Sequence, residues 1–189
     1  MQIIQKAQRP AFFVKRDGWI EPFPLDICLE NNGGGSTTSG ALRLTFFTPQ
    51  YTKTVDAFKT GCVTAGVGNT PTVCRMGLYT VDSAGNITLV ASTPDDTALF
   101  SSTWNVKALS ASYKILKGHR YATGTLYVGT GGTAPAMQGA ATTAGTAFGT
   151  NNDTRLNGSV SGQTDLPGTV AYSSVANTGV RWWSGLREV

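Results

Sequence analysis

Residues 72–91, TVCRMGLYTVDSAGNITLVA, narrow the folds open to this chain more than any other stretch. Cys74, Met76 and Leu78 alternate with Val73, Arg75, Gly77 and Tyr79, a period of two that sends one set of side chains to a core and the other toward water. Residues 82–86, Asp-Ser-Ala-Gly-Asn, accept a tight turn and positive φ, and residues 87–90 resume apolar character. A β-hairpin is expected, with Cys74, Met76 and Leu78 buried and Arg75 and Tyr79 more exposed.

Similar signals recur along the chain. Residues 42–47, LRLTFF, alternate and are closed by Pro49, and residues 54–64 read as a strand in spite of Gly61. Residues 104–109 and 113–116 are short strands; residues 121–128, YATGTLYV, place Tyr121, Thr123, Thr125 and Tyr127 on one face. Residues 166–170 and 180–183 read as closing strands, and no amphipathic helix stands out. Short strands with turns between them predict an all-β, antiparallel β-sandwich of jelly-roll type. Composition agrees: 14% of 189 residues are charged, against about 25% in ordinary soluble domains, and glycine is abundant.

Two stretches differ from this pattern. Residues 1–30 are dense in large apolar side chains, among them Phe12, Phe13, Trp19 and Phe23, but Pro10, Pro22 and Pro24 interrupt any helix. Those side chains need a cover, either the main domain or a partner, and Phe12, Phe13, Trp19 and Phe23 are the candidate partner-binding residues. Residues 31–40, NNGGGSTTSG, have the composition of a linker, so residues 1–40 are expected to form an extended N-terminal attachment arm and residues 41–189 the sandwich. Residues 129–152 are simple in composition and predict a long surface loop.

Candidate chemistry is sparse. His119, the single histidine, falls in a Lys-Gly-His-Arg turn, where an exposed imidazole is the plain reading, and no nucleophile elbow, metalloprotease helix, phosphate loop or cofactor fingerprint occurs. Asp95 and Asp96 form the only adjacent acid pair, without the further oxygen ligands of a calcium site. Cys28, Cys62 and Cys74 lack zinc spacing and read as small core residues, with a Cys62–Cys74 bridge as the alternative. Trp104, Tyr127, Tyr172 and one of Trp182 and Trp183 offer rings for a sugar, one tryptophan of the pair being expected in the core and the other at solvent or a partner.

The net charge of +4 arises between Arg43 and Arg120, spread among strands, whereas a nucleic-acid protein would gather it on one face; Lys114, Lys117 and Arg120 are the nearest to a cluster. No secretory signal pattern or membrane-length apolar run is present, so neither export by such a signal nor membrane insertion is expected.

Residues 42–137 carry a resemblance. A first strand ending in Phe47-Thr48-Pro49, then Val73-Cys74-Arg75-Met76-Gly77-Leu78-Tyr79 with its hairpin, then Lys117-Gly118-His119-Arg120-Tyr121 resemble a β-sandwich module of bacteriophage minor tail proteins, tail fibres and related virion proteins. The likeness spans roughly half the chain. It implies a structural or host-recognition unit of the virion, assembled in the host cytoplasm, commonly a homo-oligomer, with other virion proteins as partners and a host cell-surface glycan as a possible one. It implies no catalytic residue, metal or cofactor. A head decoration protein, a free carbohydrate-binding adhesin and a glycan hydrolase are the rival expectations.

Overall fold

A computed structural model describes residues 15–16, 18–25, 27–28, 35–101, 104–141 and 156–189. Phe12 and Phe13 lie outside the described residues, as do residues 142–155 of the expected loop. In chain order the strands are β1 (Lys15–Arg16), β2 (Trp19–Ile20), β3 (Gly35–Ser36), β4 (Leu42–Phe47), β5 (Lys53–Thr64), β6 (Thr70–Val81), β7 (Ile87–Ser92) and β8 (Trp104–Ile115). They continue with β9 (Arg120–Thr130), β10 (Ala136–Met137), β11 (Gly139–Ala141), β12 (Asn157–Val160), β13 (Thr169–Val170), β14 (Val180–Trp182) and β15 (Ser184–Glu188). A 3-10 turn at Tyr172–Ser174 interrupts the last part.

The strands form an antiparallel sandwich. One sheet runs β12-β4-β9-β6-β7-β13 and the other β1-β2-β15-β5-β10-β3, with β8 also paired to β5. The two runs of residues 104–109 and 113–116 are thus one long strand: β8 pairs with β5 at both ends, and its residues 109–112 bulge opposite Asp56. The hairpin of residues 72–91 is β6 and β7, and its turn is held by two carboxylate bonds and a carbonyl. Asp82 Oδ1 accepts the Asn86 N–H at 2.8 Å, and Asp82 O accepts the Gly85 N–H at 3.1 Å. Gly85 supplies the positive φ of 85°.

The main core lies between the sheets. Val55, Phe58, Ile115 and Leu186 face Cys74, Met76, Leu78, Tyr121 and Tyr127 across it. Cys74, Met76 and Leu78 are buried as their alternation predicts. Tyr79 is not exposed; it is 0% accessible, in a second core with Leu42, Leu44, Leu126, Leu166, Val170 and Val175. The reason is that the far face of this sheet is also covered, by residues 166–175, so alternation separates two cores here and not core from water. Gly77 and Gly124 are directly opposed on β6 and β9. A Cβ on either would stand within 2.9 Å of Tyr79 Cε2, so the glycine pair makes the trough in which the ring lies.

The described residues before position 41 belong to the sandwich. β2 pairs with β15, β3 with β10, and the Gly40 N–H donates to Tyr127 O at 2.9 Å. A division of an arm at residues 1–40 from a body at residues 41–189 therefore does not describe how residues 18–25, 27–28 and 35–40 pack. Part of residues 129–152 is likewise sheet, since β9 runs on to Thr130 and β10 and β11 follow.

Candidate interaction surface

The outward face of the second sheet is where residues 18–28 meet the strands. Trp183 is followed by β15 and preceded by β14, and its ring packs with Phe23, Cys28 and Ala140 in a small third core, with Leu25 against it. Arg181 pins this layer. One of its Nη2 bonds reaches Pro22 O at 3.1 Å and another Phe46 O at 2.9 Å, while its guanidinium lies 4.4 Å from the centre of the Phe23 ring. Burial lowers the Arg181 pKa to about 10, still high enough to keep the charge at neutral pH. Glu21 is buried too, and its Oε2 accepts the Leu25 N–H at 2.9 Å, closing the turn after Pro22.

Beside this layer runs an aromatic row. Lys59 Nζ lies 5.6 Å from the Trp19 ring centre and 5.3 Å from that of Trp104. Trp104 meets Trp183 edge-on at 5.5 Å. It rests over Gly61, where a Cβ would come within 2.8 Å of Trp104 Cζ3. Trp104 keeps 41% of its surface accessible and Val106, two residues along β8, keeps 51%; Val63 is exposed as well. An apolar strip thus borders β8.

Of the four expected partner-binding residues, the structure places two. Phe23 is buried against its own chain and is not available to a partner as it stands, because Trp183 and Arg181 hold it. Trp19 is half-buried on β2, its ring shared with Lys59. Of the two coverings expected for the apolar residues 1–30, the main domain takes Ile20, Phe23 and Cys28, while Ile27 stays exposed.

The rings expected to bind a sugar are not brought together. Trp182 and Trp183 are both buried, since the first points into the main core under Arg43 and the second into the third core under residues 21–28. The expectation that one of the pair meets solvent fails because both faces of that strand are covered. Tyr127 is buried, its hydroxyl accepting the Asn69 amide at 2.8 Å, and Tyr172 sits beside Gly85 at the opposite hairpin turn. Of these rings, Trp104 is the one left exposed.

Asp95 and Asp96 serve the loop that follows β7. Asp95 Oδ1 accepts the Cys74 N–H at 2.8 Å; Asp96 accepts the Ala98 N–H at 3.0 Å and the Lys107 ammonium at 2.8 Å. The Lys107 contact holds the Asp96 pKa below the usual carboxylate value. Among the described residues no three metal-ligating side chains cluster. His119 is exposed in the turn between β8 and β9, and the Arg120 guanidinium lies 5.1 Å from the centre of the Phe46 ring.

All three cysteines are free thiols, so no Cys62–Cys74 bridge forms. Cys62 donates to Thr64 O and Phe100 O, and burial raises its pKa. Burial pushes Cys28 and Cys74 up to about 12, with Asp95 and Asp96 adding to the shift at Cys74. Cys74 lines a cleft of about 220 Å³ with Asn69, Thr97, Phe100, Ser101 and Tyr127. A protonated thiol, a tyrosine hydroxyl and small polar groups can hold a small polar molecule by hydrogen bonds, but no charged group there activates a nucleophile. No family model matches the chain, and no curated protein matches it.

Proposed function

We propose that the chain is a structural protein of a bacteriophage virion, most naturally a tail component of the minor tail or fibre type. In this reading it docks through its N-terminal residues and presents the sandwich to other subunits or to the host surface. The observation that carries it is the way residues 18–28 are stitched to the outer face by Arg181 and Trp183. That anchoring makes a root for residues 1–14, including Phe12 and Phe13, which precede β1 at the rim of a sheet. The resemblance of residues 42–137 to phage tail modules, the low charge and the glycine- and hydroxyl-rich surface support it further. A place on the head is the rival within the same class.

The root also decides where a test must cut. Removing residues 1–35 would strip β2 and Phe23 from the sheet and bare Trp183, so loss of incorporation would report misfolding. Removing residues 1–14 spares them. Phage carrying that deletion are expected to assemble without the protein, or with at most a tenth of it, while the purified variant melts within about 2 °C of the full chain. Normal incorporation would refute the docking role, and immunogold labelling of intact particles separates tail from head.

A further inference from the structure

We infer that the cleft between residues 65–71 and residues 97–101 is a binding site for one neutral sugar ring, recognised through a pair of adjacent hydroxyls. The inference deepens the host-surface part of the reading above, on which it rests for where such a ligand is met, by naming the class of that ligand. It starts from strand pairing. β6 and β9 set Cys74 directly opposite Tyr127, and the loop into β6 brings Asn69 to the Tyr127 hydroxyl. Thr97 and Phe100, from the segment after β7, line the other side.

Two glycines clear the space for the polar pair. A Cβ on Gly66 would overlap Asn69 Nδ2, and one on Gly129 would overlap the Tyr127 hydroxyl. Asn69 Nδ2 donates to Tyr127 Oη at 2.8 Å, and among the described residues neither Asn69 Oδ1 nor the Tyr127 O–H has a further hydrogen-bond partner. Tyr127 is 3% accessible, so its ring is no stacking platform and its hydroxyl is what it offers. The pair therefore holds an acceptor and a donor side by side. Rotating the amide exchanges their roles and still leaves one of each. A vicinal diol, one hydroxyl donating and its neighbour accepting, matches such a pair.

Charge and size narrow the ligand further. No lysine, arginine, histidine, aspartate or glutamate lines the cleft, and burial keeps the Cys74 thiol protonated. A charged ligand would leave its ion without a partner there, and Asp95, which accepts the Cys74 N–H, would repel an acid. Phe100, Pro71 and Pro135 give an apolar wall for the C–H face of a sugar. The cleft, at about 220 Å³, is smaller than the pockets of roughly 300 Å³ and upward that hold drug-sized molecules, and it suits one ring better than a chain.

The test uses the purified full chain and the methyl glycosides of glucose, galactose, mannose, fucose and N-acetylglucosamine, followed by saturation-transfer NMR. At least one is expected to bind with a Kd below about 10 mM. Its fully O-methylated form cannot donate and is expected to lose most of that binding. Tyr127→Phe removes one donor and is expected to weaken binding about fivefold or more. Ala65→Trp fills the mouth of the cleft from an exposed position and is expected to abolish binding, and it carries the test if Tyr127→Phe does not fold. Five silent glycosides, a binder indifferent to Ala65→Trp, an O-methylated form that binds as well, or methyl glucuronide held more tightly than methyl glucoside would overturn the inference. An oligosaccharide ending in the same ring is expected to bind as well as the glycoside; its exclusion would overturn the link to a host surface. Because no particle is involved, failure here leaves the incorporation experiment standing, and loss of incorporation does not supply a sugar site.

Discussion

Arg181 joins three segments that are far apart in the chain, residues 22–23, Phe46 and its own strand β14, and it does so from a half-buried site. Hydrogen bonds from a charged donor contribute about 1.5–3 kcal/mol where loss leaves a buried carbonyl unpaired. Arg181→Leu keeps the bulk and removes both bonds, so a loss of about 2–4 kcal/mol in guanidinium unfolding is expected. Protease cutting within residues 18–28 should also appear in the folded variant, and a change under about 0.5 kcal/mol would refute the pinning role. The cysteines make a second prediction at this scale. With Cys28 and Cys74 at about 12 and Cys62 raised, none is thiolate at pH 8, and all three are buried. A thiol reagent should therefore count no cysteine in the native protein and three in denaturant without reductant; two missing in denaturant would mean a bridge.

At the scale of the element, the hairpin of β6 and β7 was legible as alternation and turn chemistry, with Val81 pairing Ile87 across the turn, but the shift in register between Leu78 and Tyr79 was not. The trough under Tyr79 was not. Gly77 precedes Tyr79 by two residues, but its partner Gly124 is set by the β6–β9 pairing, which no local pattern specifies. Gly124→Val should therefore cost roughly 1–3 kcal/mol or more, since its Cβ would approach Tyr79 Cε2 at 2.7 Å and Leu42 Cδ1 at 3.0 Å in a filled core. Gly118→Ala is the comparison. Its φ of 80° carries strain, yet nothing lies within 4 Å, so it should cost only about 1 kcal/mol. Equal costs at the two sites would argue against the trough. The long β8 was read as two strands for a related reason, because the bulge at residues 109–112 breaks the alternation of a strand that is continuous in space.

For the molecule as a whole, acid should be the weak side of its pH range. Arg187 donates to Asp56 at 2.7 and 2.8 Å and Lys107 to Asp96 at 2.8 Å, and these bonds hold both carboxyl pKa values below their ordinary value of 3.8. A depressed carboxyl contributes stability that is present above its unfolded pKa and lost as pH falls through the folded one. Melting temperature should thus be nearly flat from pH 7 to about 5 and fall below about 4. Both pairs are partly solvated, so each contributes little to stability. Asp56→Asn should flatten the acid limb while lowering the neutral plateau slightly; an unchanged limb would show that the pair is spent elsewhere.

Side-chain alternation, turn residues and low charge are local properties, and they were enough to specify an antiparallel β-sandwich, the buried set Cys74, Met76 and Leu78, and the face shared by Tyr121, Thr123, Thr125 and Tyr127. Period two says only that two faces differ, not what lies on each. Covering is a long-range event: residues 166–175 close over Tyr79, and residues 21–28 close over Trp183. That is why Tyr79, Phe23 and the second tryptophan of the pair are interior although they read as partly exposed or partner-facing from their neighbours in the chain. The same long-range pairing put β1 and β8 on opposite rims of one sheet.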